Sequence, residues 1–177
     1  MRVASALAAL IAVAPVLAAC GLQPLYSGGS NALLPQSLAA VDVPAIPGRS
    51  GWLVRGALQD KLGVAGSATP QYRLDVRLDD ALEALGVLND DTISRERRIL
   101  RARYQLIDLT TGEILLDATA GADAGIDVVS SEYATIAAEQ TALENLAIEV
   151  ADRMVTRIAL TLRAHNGGNI GGGEDAQ

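Results

Sequence analysis

Two groups of side chains in this sequence have the types and spacing to do chemistry: one thiol and one row of arginines. The thiol is Cys20, the sole cysteine, at the end of Leu17-Ala18-Ala19-Cys20. Small residues at 18 and 19 suit a signal peptidase. The apolar run from Val3 to Val16 behind Arg2, broken near its end by Pro15, has the composition of a secretory signal. That run is about half to three quarters of the length that spans a bilayer. A thiol in this position is an acyl acceptor. A lipid such as palmitate joins the sulfur, the preceding bond is cut, residues 1–19 leave, and Cys20 becomes the first residue. Each buried methylene contributes about 0.8 kcal/mol, and stable anchoring takes two chains or one chain plus a second signal. The other reading, an ordinary secreted chain with a stray buried cysteine, has motif, spacing and flanks against it. A single cysteine leaves no disulfide within the chain, although the compartment would allow one.

The arginines are Arg95, Arg97, Arg98, Arg101 and Arg103, five of the 14 Lys and Arg in the whole chain. On a strand, Arg95, Arg97, Arg101 and Arg103 share one parity and project opposite Leu100, Ala102, Tyr104 and Leu106. A row of guanidinium forks suits bidentate contact with phosphate. Charge rows are usually solvated, and the same row also suits cross-strand ion pairs on an outer face, with Arg101 near Asp80 and Arg95 near Asp127, each worth a fraction of a kcal/mol.

Other chemistry is not expected. His165, the only histidine, falls at the end of the last helical pattern, with no cysteine nearby and no second histidine for a metal. It is a poor candidate for a rigid general base. The glycines from Gly167 to Gly173 have no strand before them and no helix after them, so they do not make a phosphate loop. Asp79-Asp80 and Asp90-Asp91 sit where turns and outer faces want solvated acids. An enzyme, a cofactor and a metal centre are therefore not expected. The formal charge is −7, and loss of Arg2 with the signal makes it −8. That balance argues against nucleic acid and against broad adhesion to an anionic membrane.

The elements that must position these groups follow from periodicity. After cleavage the chain suits one domain. Residues 20–36, with Gly28-Gly29-Ser30-Asn31 and two prolines, read as a lipidated tether, residues 37–165 as the domain, and residues 166–177 as a Gly-rich disordered tail. Leu38 to Val43 is a short strand candidate closed by Pro44. Ser50 to Leu62 reads as a helix with Ser50 as N-cap, Gly63 after its end, and a stripe of Val54, Leu58 and Leu62. Tyr72, Leu74, Val76 and Leu78 alternate with charged residues and start a long strand that continues to Leu88, with a defect at Asp80. A short helix over 81–85 is the competing pattern there. The arginine strand comes next, then a hairpin loop at Leu109-Thr110-Thr111-Gly112-Glu113, then a strand from Ile114 to Val128 with small inward residues. Ser130 or Ser131 caps a final helix from about Glu132 to Ala164. Its stripe is Leu143, Ala147, Val150, Met154, Ile158 and Leu162, and Glu149 and Arg153 are at pairing distance on its outside. The expected fold is α+β: a two-layer sandwich with two helices packed on one face of a largely antiparallel four-stranded sheet.

The residues from the cut onward, Cys20-Gly21-Leu22-Gln23-Pro24-Leu25-Tyr26, resemble the mature start of the LPS-assembly lipoprotein LptE family, which commonly opens Cys-Gly-Phe-Gln-Pro-Leu-Tyr; Leu22 replaces the usual Phe. The layout of the rest is similar: the Arg-rich strand, the stretch from Tyr104 to Asp108, the Thr110-Thr111-Gly112 turn, and Ser131-Glu132-Tyr133-Ala134 opening an Ala-rich helix. The resemblance implies a non-enzymatic outer-membrane lipoprotein on the periplasmic face. It implies a partnership with the LptD β-barrel as a plug in its lumen and help in delivering lipopolysaccharide. Gly21, where an Asp would favour retention in the inner membrane, agrees with outer-membrane sorting. The arginine row would then meet lipid A phosphates or acidic lumen residues. The alternatives are an accessory lipoprotein of an envelope ABC-type lipid transporter and, less compatible with the lone His165, a lipid-anchored hydrolase.

Overall fold

The computed structural model describes residues 33–63, 69–87 and 93–170. The signal, Cys20, the opening heptapeptide, the Asn89-to-Thr92 turn and the end of the tail lie outside the described residues. The elements run α1 (Leu33–Ala39), β1 (Val41–Asp42), α2 (Gly48–Leu62), β2 (Tyr72–Val87), β3 (Ile93–Asp108), β4 (Ile114–Asp127) and α3 (Glu132–Ile170). The sheet order is β1-β2-β3-β4, with β1 parallel to β2 and the other pairs antiparallel. The chain is an α+β protein with helices packed on the sheet, as the periodicity predicts.

The long strands hold because apolar residues alternate with charged ones along most of their length, and at the one defect in β2, Asp80, a charged partner from β3 compensates. Leu74, Leu100, Tyr104 and Leu106 are buried toward the helices, and β2 stays a strand through residues 81–85 instead of turning helical. The 16 residues of β2 and of β3 extend about 50 Å at ~3.3 Å per residue. The 39 residues of α3 extend about 58 Å at 1.5 Å per residue. The helix is therefore as long as the sheet it lies on. Its predicted stripe, from Leu143 to Leu162, is buried at every position. The alanines on the inner side of β4, with Ala122 buried, let α3 come close. The hairpin after β3 closes with Gly112 at φ 74° and with the Asp108 carboxylate accepting from Thr110 N at 2.7 Å.

Four local expectations are corrected. The strand expected over 38–43 is the end of a helix followed by two strand residues. Ala40 N donates to Gln36 O at 3.1 Å, continuing α1, and pairing with β2 stops at Asp42 because Pro44 follows closely and has no N–H. Leu38, Val41 and Val43 are buried, and a run this short and apolar fits a helix end as well as a strand, so hydrophobicity did not discriminate. The helix α1 also takes over the last residues assigned to the tether. The N-cap of α2 is Pro47 rather than Ser50, without a side-chain cap bond, while Gly63 closes the helix at φ 69° as expected. Finally, α3 runs to Ile170, so Asn166 to Ile170 are helical, not tail. Asn166 Nδ2 donates to Ser37 Oγ at 3.0 Å, tying that end of α3 to α1. At the other end Ser131 is the cap, its Oγ accepting from Ala134 N at 3.4 Å.

Candidate binding face

The helices cover one face of the sheet, and no described helix lies over the other. The register fixes what that open face presents. Arg77 is opposite Arg103, Asp79 opposite Arg101, Arg101 opposite Gly121, Arg103 opposite Thr119, and Arg95 opposite Asp127. Arg95, Arg97, Arg101 and Arg103 share this face, as the parity argument predicts.

Aspartates neutralise several of them. Arg95 Nε pairs with Asp127 Oδ1 at 3.0 Å, the contact anticipated from the sequence. Arg97 reaches Asp123 at 3.7 Å and Arg103 reaches Asp117 at 3.2 Å, both diagonally across β3 and β4. Gln105 Nε2 also donates to Asp117, at 2.8 Å. The Asp117 carboxyl is held below its ordinary range by hydrogen bonds from Arg103 and then Gln105. Reciprocally, Asp117 raises the Arg103 guanidinium.

The expected proximity of Arg101 to Asp80 is not realised. Asp80 shares parity with Leu78 and Leu82, so it points toward the helices and cannot meet an arginine on the open face. Its partner is Arg98. Arg98 Nε and Nη2 donate to the two Asp80 oxygens, each at 2.9 Å, and Arg98 Nη1 donates to the Glu139 carbonyl of α3 at 3.3 Å. The side chains of the pair retain only 18% and 22% of their exposure. The Asp80 hydrogen bond is the main cause that raises the Arg98 guanidinium, against the opposing effect of burial. Arg98 thus ties sheet to helix and does not belong to the open row.

Arg77 and Arg101 make no ion pair or hydrogen bond among the described residues. They border a shallow depression of about 560 Å3 together with Asp79, Arg103, Thr119 and Gly121. The sequence reading missed Arg77. Its signal was the alternation Arg73, Asp75, Arg77, Asp79, which places it on the arginine face once the hairpin register is known.

The remaining titratable candidates do not assemble. Asp79 and Asp80 project to opposite faces of β2, His165 is exposed on α3, and Asp90-Asp91 lies outside the described residues. Among the described residues no group of His, Cys, Asp and Glu could hold a metal ion. Tyr104 is buried with its hydroxyl unpartnered, and burial raises its pKa. On the helix side, Trp52 is 73% exposed beside an apolar groove of about 600 Å3 between α2 and α3 that also includes Ala57 and Ile148. Sequence reading did not single out this groove. No described helix is long and apolar enough to cross a membrane.

A family model described as lipopolysaccharide-assembly, LptE, matches residues 38–158. Solved structures share the fold. A protein from Caulobacter crescentus CB15 described as a lipoprotein is 25% identical, covers 76% of this chain and 98% of its own, and superposes with a TM-score of 0.64. Rare lipoprotein B from Shewanella oneidensis is 14% identical, with 71% and 96% covered and a TM-score of 0.55. A minor lipoprotein from Acinetobacter baumannii is 16% identical, with 68% and 88% covered and a TM-score of 0.53. No curated protein matches in sequence.

Proposed function

This chain belongs to the lipopolysaccharide-assembly family LptE, and from that premise we propose that it is an outer-membrane lipoprotein, acylated at Cys20, that partners an LptD-type β-barrel in placing lipopolysaccharide at the cell surface. The family match over most of the folded domain carries this reading. The lipobox ending at Cys20 supports the anchor and the periplasmic-face location.

The architecture suits the role of a plug. A two-layer domain with one charged, uncovered sheet face can meet a polar barrel lumen without burying unpaired backbone. On that face Arg101, without an aspartate partner among the described residues, is available to lipid A phosphates or to acidic lumen residues; Arg95, Arg97 and Arg103 can serve by exchanging their aspartates, while Arg98 holds β3 to α3. The residues' work in this role is binding and positioning, with no bond made or broken by the protein.

Depletion in the native host tests this. The reading predicts that newly made lipopolysaccharide no longer reaches the outer leaflet and accumulates inside. Normal surface lipopolysaccharide with altered phospholipid traffic would favour the accessory lipoprotein of an ABC-type lipid transporter.

A further inference from the structure

We propose that Arg77 and Arg101, flanked by Arg103 and Thr119, form a binding site for a phosphate group on the open sheet face. Which molecule carries the phosphate in the cell rests on the functional reading above; the site itself rests on the register and the charge pattern.

Three observations converge. First, the basic groups on and beside the open face divide sharply. Arg95, Arg97 and Arg103 have aspartate partners across β3 and β4, whereas Arg77 and Arg101 have none among the described residues. Second, Arg77 stands directly opposite Arg103. Like charges facing each other across an antiparallel pair repel, and an anion between them turns the repulsion into a fork of charge-assisted hydrogen bonds. Third, the floor beside Arg101 is kept open by a missing side chain. A Cβ on Gly121 would lie 3.2 Å from Arg101 Cγ and 3.4 Å from the Leu100 carbonyl oxygen. A larger residue there would press on the Arg101 stem, which must give by a few tenths of an ångström, and would narrow the depression.

Thr119, opposite Arg103, adds a hydroxyl to the same depression, able to donate to a phosphate oxygen. Asp79, opposite Arg101 and also lining the depression, is the one acid there without an ion pair. Its charge opposes an incoming anion and weakens the site, so its removal has a signed consequence.

The test uses the full chain in detergent, with arginine side chains observed by nitrogen-15 NMR during titration with inorganic phosphate. The expected result is saturable movement of the Arg77 and Arg101 Nε signals, with Arg95 unmoved. Arg77→Gln and Arg101→Gln each weaken binding by about tenfold, the scale of a lost charge-assisted hydrogen bond. Gly121→Val, which keeps every charge, weakens it as well, and Asp79→Asn tightens it. Equal losses in Arg95→Gln and Arg97→Gln, or an unaffected Gly121→Val, would mean diffuse attraction and overturn the site. A second titration with lipid A micelles, intact or dephosphorylated, separates the two sources. Preference for the phosphorylated micelles assigns a lipid headgroup, and indifference with phosphate binding retained assigns a free anion. Co-purification of a barrel is read separately, so the site and the partnership can fail independently.

Discussion

Arg98 and Asp80 grip each other through two parallel hydrogen bonds of 2.9 Å on the helix-facing side of the sheet. The contact lies on a diagonal of the β2–β3 pair, since Asp80 is in register with Leu100 and Arg98 with Leu82. Because Arg98 also holds the Glu139 carbonyl, one side chain joins two strands and a helix. The pair is mostly withdrawn from water, so losing one partner leaves the other charge poorly compensated.

Arg98→Ala or Asp80→Ala is therefore expected to destabilise the domain by about 1–3 kcal/mol, read from denaturant midpoints. The double change Arg98→Met with Asp80→Leu should recover part of that loss, because no charge is then stranded.

The open-face pairs behave differently. Asp127→Asn and Asp123→Asn remove contacts made by exposed side chains, and each should cost less than about 1 kcal/mol in the same assay. The loss should shrink further at high salt, where exposed pairs are screened.

Acid weakens the contact between Arg103 and Asp117. Its carboxyl is lowered by the hydrogen bonds of Arg103 and Gln105. A carboxyl with a folded-state pKa below its unfolded value adds stability above the unfolded value, about 3.9, and loses it as pH falls through the lowered one. The melting-temperature difference between the wild type and Asp117→Asn should therefore be present at pH 6 and narrow as pH falls below about 4.

Charge reversal probes the face as a whole. Arg97→Glu combined with Arg101→Glu should weaken retention of purified lipopolysaccharide in co-sedimentation while leaving the circular dichroism spectrum and melting midpoint close to wild type. Unchanged retention would assign the row to ion pairing alone.

Much of the fold was legible because its largest elements repeat a clear period. The alternation in β2, β3 and β4 and the stripe from Leu143 to Leu162 each have one arrangement that buries their apolar residues. What escaped was shorter or depended on partners. Leu38 to Val43 is too brief for its period to distinguish a helix end from a strand. The end of α3 was misplaced because Gly167-Gly168 reads as a stop signal, while Asn166 is held by Ser37, a contact 129 residues away in sequence. At the site, parity placed four arginines on one face correctly. The pairing of Arg101 with Asp80 failed because neighbouring residues on a strand face opposite ways, so a one-residue error changes the face. Arg77 became visible only once the strands were in register.

Affinity purification of the tagged full chain from its own envelope, with its partners identified by mass spectrometry, tests the central claim most directly. The account predicts a large outer-membrane β-barrel of the LptD type in one-to-one amounts, lost when Cys20→Ala prevents acylation and delivery. Stoichiometric recovery with an ABC-type transporter, and without a barrel, would contradict it.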